Sequence, residues 1–233
     1  MDDDTNIHAR LDDVRERVAA AAAQSGRAEE DVQILLATKT QPARRIRSAI
    51  DHGFTLIGEN RVQELLSKAP ELADLEHRAH MIGPLQKNKV AKVCDIATSI
   101  DSIDSVALAH KIQRRLETID STMGVMVQVN TSREDSKSGV SPEDARPLVE
   151  EVLGCDRLRL RGLMTIGFPG ATESEIRPSY ARLRELRDSL YEAGVLDADM
   201  CGLSMGMSGD YPLAIAEGAT EIRIGSSVFG TRD

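Results

Sequence analysis

"VQILLATKTQPARRIRSAIDHGFTLIGE", residues 32–59, holds one complete copy of the pattern that decides the fold. A short apolar run at 32–38 stops abruptly at Lys39. Pro42 then suits a helix start, because its missing N–H is not needed there, and Gly53 suits a helix stop. A second apolar run follows at 55–59. Strand, helix, strand in this order predicts two parallel strands joined by a crossover.

The unit recurs along the chain. Further strand-like runs are "RAHMIG" at 78–83, "DIATSI" at 95–100, "GVMVQV" at 124–129, "LRLRGLMTI" at 158–166, "ADMCGLSM" at 198–205 and "EIRIG" at 221–225. Amphipathic segments fill the gaps. "SPEDARPLVEEVLG" starts with Ser141 as cap, Pro142 in the first turn and acids that suit the helix dipole. "SEIRPSYARLRELRDSLYEAG" ends at Gly194, and its Pro178 must lie near the first turn or bend the helix. Residues 7–22 read as a leading helix, with Ile7, Leu11, Val14 and Val18 on one stripe. Eight such units in 233 residues predict an α/β chain with one (β/α)8 TIM barrel over residues 1–233. Residues 1–31 are expected to form a helical extension packed on the barrel. An open doubly wound sheet is the alternative, since periodicity does not report closure.

Composition narrows the function. At 41% hydrophobic residues the chain can bury a large core, and no apolar run is long enough for a membrane span. The acidic start "MDDDTNIHAR" does not resemble an export signal, so a cytoplasmic location is expected. Three scattered cysteines and five dispersed histidines show no metal-ligand spacing, and no metal is expected. A net charge of −9 disfavours nucleic acid as a partner but leaves room for one small anion in a local pocket.

In barrels the chemistry collects where the strands end. Lys39 and Arg223 carry most weight there, because cations are seldom set at the edge of a core without a partner. Lys39 reads as a surface lysine paired with a carboxylate or as a Schiff-base nucleophile, whose amine must be made neutral by burial. Gly225, Ser226 and Ser227, after the last strand, read as an ordinary turn or as a phosphate cradle. Together a Schiff-base lysine and a phosphate cradle favour pyridoxal 5′-phosphate (PLP) over a simple aldolase.

The residues also resemble a known family. "ATKTQP", "GENRVQE", "HMIGPLQKNK", "SIDS", "VQVNTSREDSKSG", "RGLMTIG", "LSMGMSGD" and "GATEIRIGSSVFG" occur in the order seen in the YggS/PROSC family of PLP homeostasis proteins. The resemblance covers residue 32 to the C-terminus and implies a barrel akin to the N-terminal domain of alanine racemase. It implies an aldimine on Lys39 as the only chemistry, Arg223 beside the pyridine nitrogen, and the phosphate near Ser204, Gly225 and Ser226. Asn60 and Met164 would lie against the ring. Thr38 and Ser226 replace a usual serine and threonine and keep the hydroxyl. Gln41 replaces a basic or small residue. The implied role is that of a monomeric PLP carrier or buffer, with PLP-dependent apoenzymes as possible partners. A racemase-like enzyme is the alternative, with Tyr211 offered as its second base. A protein-interaction module is a further alternative, and it predicts a large exposed apolar face. Lys87, Lys89 and Lys92 read as a solvated helix face or as a second anion site.

Overall fold

The computed structural model describes residues 3–132, 138–167 and 172–230, with side chains from residue 6 onward. Residues 133–137 of the motif "VQVNTSREDSKSG" lie outside the described residues. The strands are β1 (Gln33–Ala37), β2 (Leu56–Glu59), β3 (Arg78–Met81), β4 (Ser99–Ile103), β5 (Met123–Gln128), β6 (Leu158–Met164), β7 (Gly202–Met207) and β8 (Glu221–Ile224). The helices are α1 (Asp3–Gln24), α2 (Ala43–Asp51), α3 (Val62–Leu72), α4 (Val90–Cys94), α5 (Val106–Thr118), α6 (Pro142–Leu153), α7 (Glu173–Glu192), α8 (Tyr211–Ala216) and α9 (Ser226–Phe229).

All eight strands are parallel and close into a barrel in sequence order, with β8 paired back onto β1. The closed barrel replaces the open-sheet alternative. Ser141 caps α6 by accepting the Asp144 N–H at 3.1 Å. Gly53 ends the α2 turn at φ +92°, a conformation that glycine adopts without a Cβ penalty. Pro178 sits inside α7 rather than at its start.

Two strands are displaced from their expected places. The segment 95–100 contains the end of a turn, and β4 runs three residues further, to Ile103. Residues 198–200 form a 3₁₀ turn, and β7 continues to Met207.

Side chains alternate in and out of the barrel. The outward faces of the strands join the helices in the main core, which includes Ile57, Met81, Val125, Leu203 and Ile222. A small separate apolar cluster of Leu35, Leu56 and Ile82 fills part of the barrel interior. Met126 and Met164 are also buried apart from the main core, and beside them lie the buried polar side chains of His80, Asp101, Ser204, Glu221 and Arg223. α1 buries its predicted stripe, with Ile7, Leu11 and Val18 fully covered, against α2, α8 and α9. Arg27 ties the following turn to the Ala219 carbonyl at 2.7 Å.

Candidate cofactor-binding site

A cavity of about 400 Å³ opens at the C-terminal ends of the strands. Lys39, Asn60, Arg223, Gly225 and Ser226 line it, as expected for the mouth of the barrel. Ser208 and Asp210, from the loop after β7, line it as well.

Lys39 occupies position two of a tight turn that follows β1. The turn is closed by the Gln41 N–H donating to the Thr38 carbonyl at 3.0 Å. Thr40 takes position three at φ +65°, where glycine is usual in a type II turn. A β-branched residue there costs on the order of 1–3 kcal/mol and needs support from its surroundings. That support comes from behind, where the Thr40 N–H donates to Glu64 Oε2 at 2.5 Å.

Arg223 forms part of the cavity floor. It is only 5% exposed, yet both terminal nitrogens are bonded. Nη1 donates to Ser204 Oγ at 2.8 Å, and Nη2 donates to the Thr165 carbonyl at 2.6 Å. Burial lowers the proton affinity of the guanidinium, and the neighbouring Glu221 carboxylate works in the opposite direction. Arginine nevertheless stays charged and can only donate.

Below Arg223 the polar chain continues. Ser204 donates to Glu221 Oε1 at 2.8 Å, and Glu221 Oε2 accepts from Arg161 at 2.9 Å. Arg161 also reaches Asp101 at 3.3 Å, and Asp101 bonds His80 Nδ1 at 2.8 Å. His80, Asp101 and Glu221 bring three ligand-type atoms within 4.8 Å of one another. Arg161 already engages both carboxylates, so the cluster is balanced by an internal cation.

Beyond the ends of β7 and β8, Ser208 Oγ accepts the backbone N–H groups of Gly225 at 3.1 Å and Ser227 at 3.3 Å. This ties the loops after β7 and β8 into one hydroxyl-rich corner, with Ser226 beside it. Asn60 reaches the cavity because the loop after β3 passes close to it. A Cβ at Gly83 would run into the Asn60 carbonyl.

Two expected contacts fall elsewhere. Ser204 does not line the cavity; it is fully buried in β7 and committed to Arg223 and Glu221. Because β7 runs to Met207, the first hydroxyl beyond the strand is Ser208. Its signal was already present in "LSMGMSGD", one turn further on. Met164 is likewise fully buried at the end of β6 and does not line the cavity. Tyr211 does not face the cavity either. It is buried at the start of α8, with Arg17 and Asp13 of α1 as its charged neighbours. Lys87 and Lys89 form a 3₁₀ turn and Lys92 lies in α4; none of the three lines the cavity. Among the described residues, the titratable side chains that do line it are Lys39, Asp210 and Arg223. Asp210 is held by the Met207 N–H at 2.6 Å.

A family model described as alanine racemase, N-terminal domain, matches residues 10–233. The pyridoxal phosphate homeostasis protein of Aquifex aeolicus is 40% identical over 227 residues, covering 97% of this chain and 99% of that one. The structure of PipY from Synechococcus elongatus with PLP bound superposes with a TM-score of 0.84 at 34% identity, over 96% of this chain and all of that one. Alanine racemase of Clostridium difficile shares the fold alone, with a TM-score of 0.71 at 16% identity, over 94% of this chain and 56% of that one.

Proposed function

The chain belongs to the family of pyridoxal phosphate homeostasis proteins, and from that premise we propose that it binds PLP through Lys39 and carries or buffers the cofactor without turning over a substrate. One observation carries the reading. A half-buried lysine and a buried arginine face one cavity from β1 and β8, with a hydroxyl- and glycine-rich corner beside them. The donor set fits the group: a primary amine, a cation that only donates, and hydroxyls with backbone N–H groups for a phosphate.

Lys39 would hold the cofactor through its amine, and the chemistry the cofactor would supply there is an aldehyde able to condense with that amine with loss of one water. Arg223 is the donor for the pyridine nitrogen in this reading. Ser226, Gly225 and, in place of Ser204, Ser208 hold the phosphate. Asn60, which lines the cavity, would lie along the ring. Because Arg223 cannot give up its proton, it would leave a pyridine nitrogen beside it unprotonated and the ring a weak electron sink.

Two-base chemistry would need a second proton-transfer group opposite Lys39. Tyr211 lies outside the cavity against α1, and the one carboxylate that lines the cavity among the described residues, Asp210, has one oxygen engaged by the Met207 N–H. Large exposed apolar side chains among the described residues are Val106, Leu153 and Tyr191, one on each of three helices, which gives no support to an interaction module. The reading includes a monomeric, cytoplasmic protein that exchanges PLP with apoenzymes.

The test is a chiral assay of alanine and other amino acids with PLP-loaded protein. The expected result is retained PLP with no racemisation above the Lys39→Ala variant. Lys39-dependent turnover at about 1 s⁻¹ or faster, an ordinary enzymatic rate, contradicts the carrier reading.

A further inference from the structure

The turn that presents Lys39 is fastened from the side away from the cavity. Lys68 of α3 is 9% exposed and spends all three of its donors there. Its Nζ donates to the Thr38 carbonyl at 2.9 Å, to Glu59 Oε1 at 2.7 Å and to Glu64 Oε2 at 2.9 Å. Thr38 Oγ1 donates to the same Glu59 oxygen at 2.6 Å. Glu64 Oε2 also accepts the Thr40 N–H. Lys39 is therefore flanked by two residues, and both are tied to one triad in which Glu59 and Lys68 are buried and Glu64 is half-buried. Glu59, Glu64 and Lys68 do not themselves line the cavity.

Stability alone is a poor account of this triad. A buried ion pair is often no better than apolar residues of the same volume. Apolar residues could not, however, bond both the carbonyl before Lys39 and the N–H after it. They would also leave Thr40 unsupported at its positive φ.

We propose that Lys68 and Glu64, with Glu59, form a clamp that holds the Lys39 turn in shape, making them positioning residues for covalent capture of an aldehyde. The inference rests on the PLP reading above. It assigns the clamp to the capture step and not to phosphate or ring recognition. Preorganisation of this kind acts on the bond that needs alignment and leaves the other contacts alone.

The test compares two ligands on the full chain: PLP, and pyridoxine 5′-phosphate, which has an alcohol in place of the aldehyde. Glu64→Ala should weaken PLP binding by about fivefold or more and change pyridoxine 5′-phosphate binding by less than about twofold. Adding Thr40→Gly to Glu64→Ala should recover most of the loss, because glycine holds a positive φ unaided. Lys68→Met should act in the same direction as Glu64→Ala. If Lys68→Met does not fold, the Glu64→Ala pair decides. Equal loss of both ligands, or no loss of PLP, overturns the clamp. Wild-type protein that binds neither ligand overturns the cofactor reading and the clamp with it. Wild-type protein that binds both, with variants that do not separate them, overturns the clamp alone.

Discussion

Ser204 and Ser208 stand four residues apart, and the difference between them is where β7 stops: Ser204 lies within the strand and Ser208 just beyond its end at Met207. Ser204 lies inside the barrel, between Arg223 and Glu221, whereas Ser208 ties Gly225 and Ser227 at the cavity wall. A hydroxyl on a phosphate is a charge-assisted bond worth roughly 1.5–3 kcal/mol, or tenfold and more in affinity. Ser208→Ala and Ser226→Ala should each weaken PLP retention by about that factor, measured by dialysis against a scavenging apoenzyme. Ser204→Ala should lose less than either, since its effect passes through Arg223. A loss in Ser204→Ala as large as in the other two would return the phosphate to Ser204. Lys39 and Arg223 were legible in the sequence because a cation ending an apolar run is a rare signal. The position of Ser204 inside the barrel was not legible, because the apolar run does not say where the strand stops and β7 continues to Met207.

Strands set by hydrophobic runs were found, but their ends were not where polarity begins. β4 carries Asp101 and Ser102 inside it, each at most 1% exposed, although the expected strand at 95–100 stops before them. The reason is that this barrel interior accepts charge when the charge is paired. Asp101 meets His80, Arg161 and Ser99. Burial alone would raise its proton affinity, yet these partners together hold the carboxyl below its ordinary range. The sign follows from linkage. A carboxyl whose folded value is lowered stabilises the fold above its unfolded value near 3.9, and that stability is lost as pH falls through the folded value. Asp101→Asn should therefore cost on the order of 1–3 kcal/mol at pH 7, because it removes the charged acceptor of His80, Ser99 and Arg161 while Arg161 keeps Glu221. It should also flatten the loss of stability in acid. Thermal melts at a series of pH values check both statements. A variant that loses stability below pH 4 as steeply as wild type would show that Asp101 is not the group responsible.

At the scale of the whole molecule, eight repeating units were countable in the sequence, and closure was not. Closure depends on β8 pairing with β1, a contact between residues about 190 positions apart that no local period encodes. The same closure places Arg223 across from Leu35 in register and so brings β8 beside the strand that leads into the Lys39 turn. The polar interior and the Lys68 triad were also hidden, since they depend on which face of β2 and β8 turns inward. The account rests on Lys39 being the point at which this barrel holds its ligand. The most direct measurement is to load the protein with PLP, fix the adduct with borohydride, and map the modified residue by mass spectrometry of a digest. The account predicts modification at Lys39 and loss of the visible absorption band in a folded Lys39→Ala variant. Modification of another lysine, or a band that persists in Lys39→Ala, would contradict it.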